Sequence, residues 1–180
     1  KNTDEGKIEF EVDFTRKSHN FLSELENCMR TNYVFDSSIT ASISESSIFS
    51  ILTDDLGSVQ SVHNKEGKLL SEYSYEEYGS MRTYKQEEKM IFGFTGYLMD
   101  PYTGWYYAQE RYYDEKTGRF NREDPVIHEM QSVQNRNLYS YCFNQPLTLV
   151  DLDGCFPVIP LIIGGYSVGF GLLVFHTLGL

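Results

Sequence analysis

A turn followed by an aromatic strand occurs twice in this chain, fourteen residues apart, and sets narrow limits on its fold. Asp100 and Asp114 each open a turn, and Gly104 and Gly118 follow them four residues later. Asp at the start of a turn accepts hydrogen bonds from nearby amides, and Gly adopts a positive φ at little cost. Aromatic residues, which favour strands, follow each turn. The pattern therefore predicts consecutive β-hairpins.

The same alternation of short strands and turns extends upstream. We predict strands at 8–14, 48–52, 58–62 and 68–75, with Asp/Asn…Gly turns at 54–57 and 64–67. Three segments are less decided: 21–29 fits a short helix or a strand, 37–47 a strand or a loop at a sheet edge, and 81–90 a surface loop or a brief helix. Closely spaced turns favour antiparallel hairpins over βαβ units, so the predicted fold class is mostly β.

Composition argues against several classes of function. The net charge is −11 and the 15 basic residues form no cluster, so we predict no nucleic-acid binding by this segment. The three cysteines, Cys28, Cys142 and Cys155, are widely spaced and lack a CxxC or Cys/His pattern. The sequence therefore predicts neither a bound metal nor a cofactor.

Both ends of the chain suggest a piece of a larger protein. The polar start at Lys1 has no initiating Met, which favours a position inside a longer chain. After Asp153, no residue up to Leu180 is charged. The twenty residues from Leu161 to Leu180 are long enough to cross a bilayer as a helix, although their glycines weaken that interpretation. The alternative is an apolar plug buried inside the protein.

Nine short motifs, in order, identify a family resemblance. They are TDDLGSV (53–59), YSYEEYG (73–79), FTGY (94–97), DPYTGWYY (100–107), RYYDEKTGRF (111–120), DP (124–125), NLYSY (137–141), NQP (144–146) and DLDG (151–154). Together they resemble the RHS (rearrangement hot spot) repeat-associated core domain of YD-repeat shell proteins. The resemblance divides the chain into the end of preceding YD-repeat strands at 1–52, the core domain at 53–154 and a hydrophobic tail at 155–180.

The resemblance implies an architecture and a set of partners. Similar proteins include polymorphic toxins, Tc-toxin C components, bacterial wall-associated proteins and teneurins. Their repeats wind an antiparallel β-hairpin strip into a hollow β-cocoon, and the core domain plugs one end. The implied partners are the chain's own C-terminal effector, enclosed by the shell, and an immunity protein for that effector. The implied location is secreted or cell-surface, with the membrane as a further partner if the tail inserts.

The resemblance also implies an aspartic-type self-cleavage between Gly154 and Phe156. The family's two catalytic aspartates match Asp124 and Asp151, and the nearby arginine matches Arg122, with Arg119 as the alternative. Two close carboxylates do not both ionise easily, so one serves as acid while the other activates water. Ordinary turn formation is the competing explanation for both aspartates.

Two departures from the family pattern bear on cleavage. The last family motif is usually Asp-Pro-x-Gly-Leu, whereas Leu152 and Cys155 stand at the Pro and Leu positions here. Asp124 and Asp151 are also 27 residues apart, slightly longer than the family spacing, with the excess in 126–136. The sequence thus leaves two functions open. One is a plug that encloses and releases a toxin; the other is a non-cleaving cell-surface or adhesion-type shell.

Overall fold

A meander of eight antiparallel strands forms the first half of the protein. The computed structural model describes residues 8–13, 21–36, 38–125, 137–163 and 166–170. Each strand of the meander pairs with its sequence neighbours. The strands are β1 (Ile8–Val12), β2 (Phe21–Glu26), β3 (Met29–Phe35), β4 (Ile39–Ser44), β5 (Ile48–Thr53), β6 (Val59–Asn64), β7 (Leu69–Tyr75) and β8 (Met81–Gln86).

The meander confirms the predicted strands and decides the open segments. Segment 21–29 contributes β2 and the start of β3, so the strand alternative is right. β4 lies between β3 and β5 rather than at an edge. The expectation of a loop or helix at 81–90 is wrong, because β8 occupies most of it. β8 is an edge strand with mostly exposed side chains, so its sequence lacks the apolar alternation that marks a strand.

The repeated turn units form a second, smaller sheet. Its strands are β9 (Leu98–Met99), β10 (Tyr106–Ala108), β11 (Arg111–Asp114) and β12 (Arg119–Phe120), in the order β12-β11-β10-β9. The amides of Gly104 and Gly118 donate to the carbonyls of Asp100 and Asp114, at 2.8 and 2.9 Å. The two hairpin turns predicted from the fourteen-residue repeat are therefore confirmed.

The small sheet packs on the meander through aromatic side chains. Phe94 lies between them, with its ring centroid 6.0 Å from that of Tyr75 in β7 and 6.1 Å from that of Tyr113 in β11. The Tyr141 ring packs against that of Tyr113, with the centroids 4.5 Å apart and the planes tilted by 37°. A Cβ added to Gly79 would lie 2.6 Å from the Phe94 ring, so this close approach requires glycine. Aromatic burial thus fixes the position of the small sheet.

A third sheet follows the last motif. β13 (Val150–Asp151) pairs with β14 (Pro157–Ile163), which pairs with β15 (Tyr166–Phe170). The first part of the predicted tail is therefore β-structure, and no helix in the described part of the chain is long and apolar enough to span a bilayer.

Segments 126–136 and 171–180 lie outside the described residues. The division at residue 52 stays a prediction; in the structure β5 runs across it.

Candidate functional site

A buried arginine stands at the centre of the small sheet. Arg111 opens β11, where side chains alternate between two faces, and it shares the inner face with Tyr113. Arg111 is 2% exposed and its guanidinium carbon lies 3.6 Å from the centroid of the Phe120 ring. A buried charge is costly unless it is paired. We therefore expect acidic side chains to lie beside Arg111 and to neutralise its charge.

Those partners are the two aspartates predicted from the sequence. Arg111 Nη2 lies 3.0 Å from Asp124 Oδ2 and 3.4 Å from Asp151 Oδ2. Asp124 follows β12 and Asp151 lies in β13, so strands distant in sequence bring them to one guanidinium nitrogen. Asp151 is 1% exposed, which makes it one of the most deeply buried side chains of the described residues. Asp124 and Asp151 therefore form one acidic site around Arg111.

The predicted arginines lie elsewhere. Arg122 is exposed, donates to the Glu110 carbonyl and lies 4.0 Å from the Glu110 carboxylate. Arg119 lies exposed on β12. The structure thus assigns the bridging role to Arg111, which the sequence analysis did not single out. The signal that would have found Arg111 is a charged residue at an inward position of an alternating aromatic strand.

The Asp151 side chain also organises the turn that follows it. Asp151 Oδ1 accepts hydrogen bonds from the amides of Gly154, Cys155 and Phe156, at 2.8, 3.0 and 3.2 Å. Asp153 Oδ1 accepts from Cys155 and Phe156 as well, at 3.0 and 3.3 Å. Gly154 has a φ of +75°, which an L-residue rarely adopts. The segment for which self-cleavage is predicted is therefore tightly ordered.

Four donors hold the carbonyl oxygens of this turn one after another, and we call them the carbonyl clasp. Three of the donors are consecutive residues that form the β10–β11 connection and the start of β11. The donors are Tyr97 Oη to the Asp151 carbonyl, Gln109 Nε2 to Leu152 at 3.1 Å, the Glu110 amide to Asp153 at 3.1 Å, and Arg111 Nε to Gly154. Every carbonyl from 151 to 154 is thus fixed against the small sheet.

A small cavity adjoins the acidic site. Its volume is about 30 Å³, and its walls include Arg111, Asp124, Asp151, Cys155 and Pro157. This volume is large enough for one water molecule, and the polar atoms of the walls are suitable hydrogen-bond partners for it. Within the described residues, no cluster of three or more His, Cys, Asp or Glu side chains is arranged to hold a metal ion. The arrangement is suited to acid-base chemistry on a peptide bond.

Burial dominates the protonation of Asp151. Loss of solvent raises the pKa of the Asp151 carboxyl from 3.8 to about 7, and the charge of Asp153 adds to the rise. Arg111 and the amide of Gly154 act in the opposite direction, because both stabilise the carboxylate. A carboxyl with a pKa of about 7 exchanges its proton near neutral pH, which suits a general acid.

This raised pKa predicts a specific pH dependence of folding. The folded state holds the Asp151 proton more tightly than the unfolded state, in which the pKa returns to an ordinary value near 3.8. The stabilisation is therefore complete below about pH 4 and is lost as pH rises to about 7. We expect urea unfolding to show the free energy of unfolding falling across this interval more steeply in the wild type than in Asp151→Asn. Equal slopes in the two proteins would show that Asp151 does not carry this proton.

The eight-stranded meander, the smaller sheet packed on it and the buried site around Arg111 define a protein built from strips of antiparallel β-strands. The family model of the teneurin YD-shell matches residues 24–147. The chain belongs to this family, and its mostly β, antiparallel fold confirms the predicted fold class.

Proteins similar to this chain include toxins and nucleases. It is 29% identical over 101 residues to the tRNA nuclease WapA of Bacillus subtilis, a match covering 54% of this chain and 4% of that protein. It is 31% identical over 96 residues to the toxin subunit YenC1 of Yersinia entomophaga, which covers 51% of this chain and 9% of that protein. The chain thus spans less than a tenth of these relatives. The matches support the resemblance to RHS and Tc-toxin shells.

Solved structures show the same fold. The crystal structure of TcdB2-TccC3 without its hypervariable C-terminal region aligns with a TM-score of 0.60 and 23% identity, over 76% of this chain and 7% of that one. The Photorhabdus luminescens Tc holotoxin pore with a mutation in TccC3 aligns with a TM-score of 0.63 and 18% identity, over 94% of this chain and 9% of that one. Both alignments therefore show a shared fold.

Proposed function

We propose that this chain closes the C-terminal end of a YD shell and cuts its own backbone between Gly154 and Phe156. The observation that carries the proposal is the meeting of Asp124, Asp151 and Arg111 on a segment whose carbonyls are held from 151 to 154. A peptide bond held still beside an acid, a base and a cation needs little further rearrangement to react.

The geometry supports a hydrolytic mechanism in which each group has one role. Asp124, ion-paired to Arg111, takes a proton from a water molecule in the adjoining cavity. The water oxygen bonds to the carbonyl carbon, and the guanidinium of Arg111 stabilises the negative charge on the carbonyl oxygen. Asp151, whose pKa is about 7, then gives its proton to the leaving nitrogen as the C–N bond breaks.

The proposed partners follow from the relatives. One similar structure is of TcdB2-TccC3 without its hypervariable C-terminal region, and YenC1 is a toxin subunit. By analogy, the shell of this chain encloses its own C-terminal effector, and the cut separates shell from effector. An immunity protein for that effector and a secreted or cell-surface location complete the proposal.

Cleavage of a tagged chain tests this function. With a reporter domain fused after Leu180, we expect the wild type to yield two fragments on a denaturing gel. Asp124→Asn and Asp151→Asn keep the side-chain volume but remove a carboxyl, so each is expected to slow cleavage by about 100-fold or more. Asp114→Asn is the matched control, since Asp114 forms a turn away from the site and Asn forms the same turn.

The competing function is a shell that displays its surface without cleavage. One feature favours it, because the three amide hydrogen bonds to Asp151 Oδ1 give this side chain a complete turn-forming role. Under this alternative the tagged wild type stays intact. Cleavage that proceeds unchanged in both aspartate variants would also refute the proposed mechanism.

A further inference from the structure

We propose, resting on the proposed function, that the bond cut is Gly154–Cys155 and that Asp153 joins Asp151 as the carboxyl pair at its nitrogen. The resemblance to the family places the cut one residue later, after Cys155. The contacts of the described residues favour the earlier bond on both its carbonyl side and its nitrogen side.

On the carbonyl side, the Gly154 carbonyl oxygen accepts from the strongest donor of the carbonyl clasp. Arg111 Nε donates to the Gly154 carbonyl oxygen, and Arg111 is almost fully buried. The other three donors, a phenol, an amide side chain and a backbone amide, are uncharged. A hydrogen bond from a cation to a developing oxyanion is about twice as strong as one from a neutral donor. The clasp thus favours attack at the Gly154 carbonyl carbon.

On the nitrogen side, Cys155 lies between two carboxylates. Its amide nitrogen is 3.0 Å from Asp151 Oδ1 and 3.0 Å from Asp153 Oδ1. The Phe156 nitrogen is farther from both, at 3.2 and 3.3 Å. Two carboxylates that converge on one donor repel each other when both are ionised, so the pair retains a proton. That proton therefore lies beside the Cys155 nitrogen, which is the leaving group when the bond breaks.

Asp153 also strengthens the hold of Asp151 on its proton. Its negative charge raises the pKa of the Asp151 carboxyl, second only to burial. The Asp153 backbone carbonyl is fixed by the Glu110 amide, which anchors the residue that carries this charge. Asp153 is therefore a positioning residue for the proton as well as for the amide of Cys155.

The proposed step balances in atoms and charge. The oxygen of one water molecule bonds to the Gly154 carbonyl carbon, and one water proton passes to Asp124. The nitrogen of Cys155 becomes pyramidal and basic, and it receives the proton shared by Asp151 and Asp153 as the C–N bond breaks. The products are a Gly154 carboxyl group and a free amine on Cys155.

The new end of the C-terminal fragment tests the choice of bond. We expect intact mass and N-terminal sequencing of the reporter fragment to place Cys155 first. An N-terminal cysteine carries adjacent amine and thiol groups, so this fragment is also expected to condense with 2-cyanobenzothiazole. A fragment that begins at Phe156 would overturn the inference while leaving the proposed self-cleavage intact. An uncut wild type would instead refute the proposed function and this inference with it.

Variants of Asp153 test the role proposed for its carboxylate in cleavage. Asp153→Asn keeps an oxygen acceptor for the Cys155 amide but removes the charge, so the pH at which cleavage falls to half its maximum is expected to move down by about one pH unit. Asp153→Ala removes acceptor and charge, and is expected to show the same shift with a further slowing of about tenfold. An unchanged pH profile in both variants, with the wild type still cleaving, would refute the role of Asp153.

Discussion

Replacing Arg111 with leucine is expected to lower the free energy of unfolding by about 3–5 kcal/mol and to abolish self-cleavage. The loss follows from burial, because removing one member of a buried ion pair leaves the other without compensation. Here the carboxylates of Asp124 and Asp151 would both lose the same cation. The contact with the Phe120 ring and the bond to the Gly154 carbonyl would be lost as well. Urea unfolding at neutral pH measures the effect.

Arg122→Leu is the matched control for this variant. Arg122 has a side chain 58% exposed and its partner Glu110 is similarly exposed, so the same substitution is expected to cost less than about 1 kcal/mol. At acidic pH the two variants are expected to differ less in their free energies of unfolding, because protonated aspartates carry no charge for a cation to balance. Equal losses for the two variants at neutral pH would show that Arg111 is not the residue that neutralises the site.

Gly154→Ala is expected to destabilise the chain by about 3 kcal/mol, from two separate causes. The φ of +75° costs an L-residue about 1–2 kcal/mol. An added Cβ would also lie 2.4 Å from the Ala108 carbonyl oxygen and 3.2 Å from the Arg111 amide nitrogen, which are backbone atoms and move only with their strands. Overpacking of this kind costs a further ~1–3 kcal/mol. Thermal or urea unfolding measures the sum.

Gly67→Ala separates the two causes. Gly67 has nearly the same φ, +78°, and an added Cβ there would meet no atom within 4 Å. The loss of unfolding free energy in Gly67→Ala therefore measures the cost of the backbone conformation alone, about 1–2 kcal/mol. Ala108→Gly is not expected to rescue Gly154→Ala, since the nearest atom is the carbonyl oxygen rather than the Ala108 side chain. A loss no larger than that of Gly67→Ala would show that the turn adjusts to the added methyl group.

The sequence predicts a strand correctly wherever turn-forming residues flank a segment of alternating apolar and polar residues. β5, β6 and β7 are separated by turns in which Asp54 and Asn64 accept amide hydrogen bonds, as their residue types predict. β8 was missed because it is held by its backbone pairing and by polar contacts such as Lys85 Nζ to the Leu69 carbonyl, at 2.5 Å. Hydrophobic alternation cannot report a strand that buries little apolar surface.

The site was predictable only in part. The resemblance implies Asp124 and Asp151, and it implies Arg122, with Arg119 as the alternative, because both arginines are near Asp124 in sequence. In a sheet, proximity follows from strand register: Arg111 and Asp124 meet because β11 and β12 pair, with Tyr113 opposite Phe120. Asp151 reaches the same nitrogen from β13, across a packing arrangement that spacing does not encode.

The carbonyl clasp recognises backbone atoms, and this has an evolutionary consequence. Tyr97, Gln109, Glu110 and Arg111 all donate to carbonyl oxygens, which every residue possesses. The side chain at position 152 can therefore change without loosening the clasp, which explains how Leu152 is accommodated here. Cys155 is likewise held through its backbone, because its amide donates to Asp151 and Asp153. Position 154 has no such freedom, because its backbone conformation and its contact with Ala108 admit only glycine.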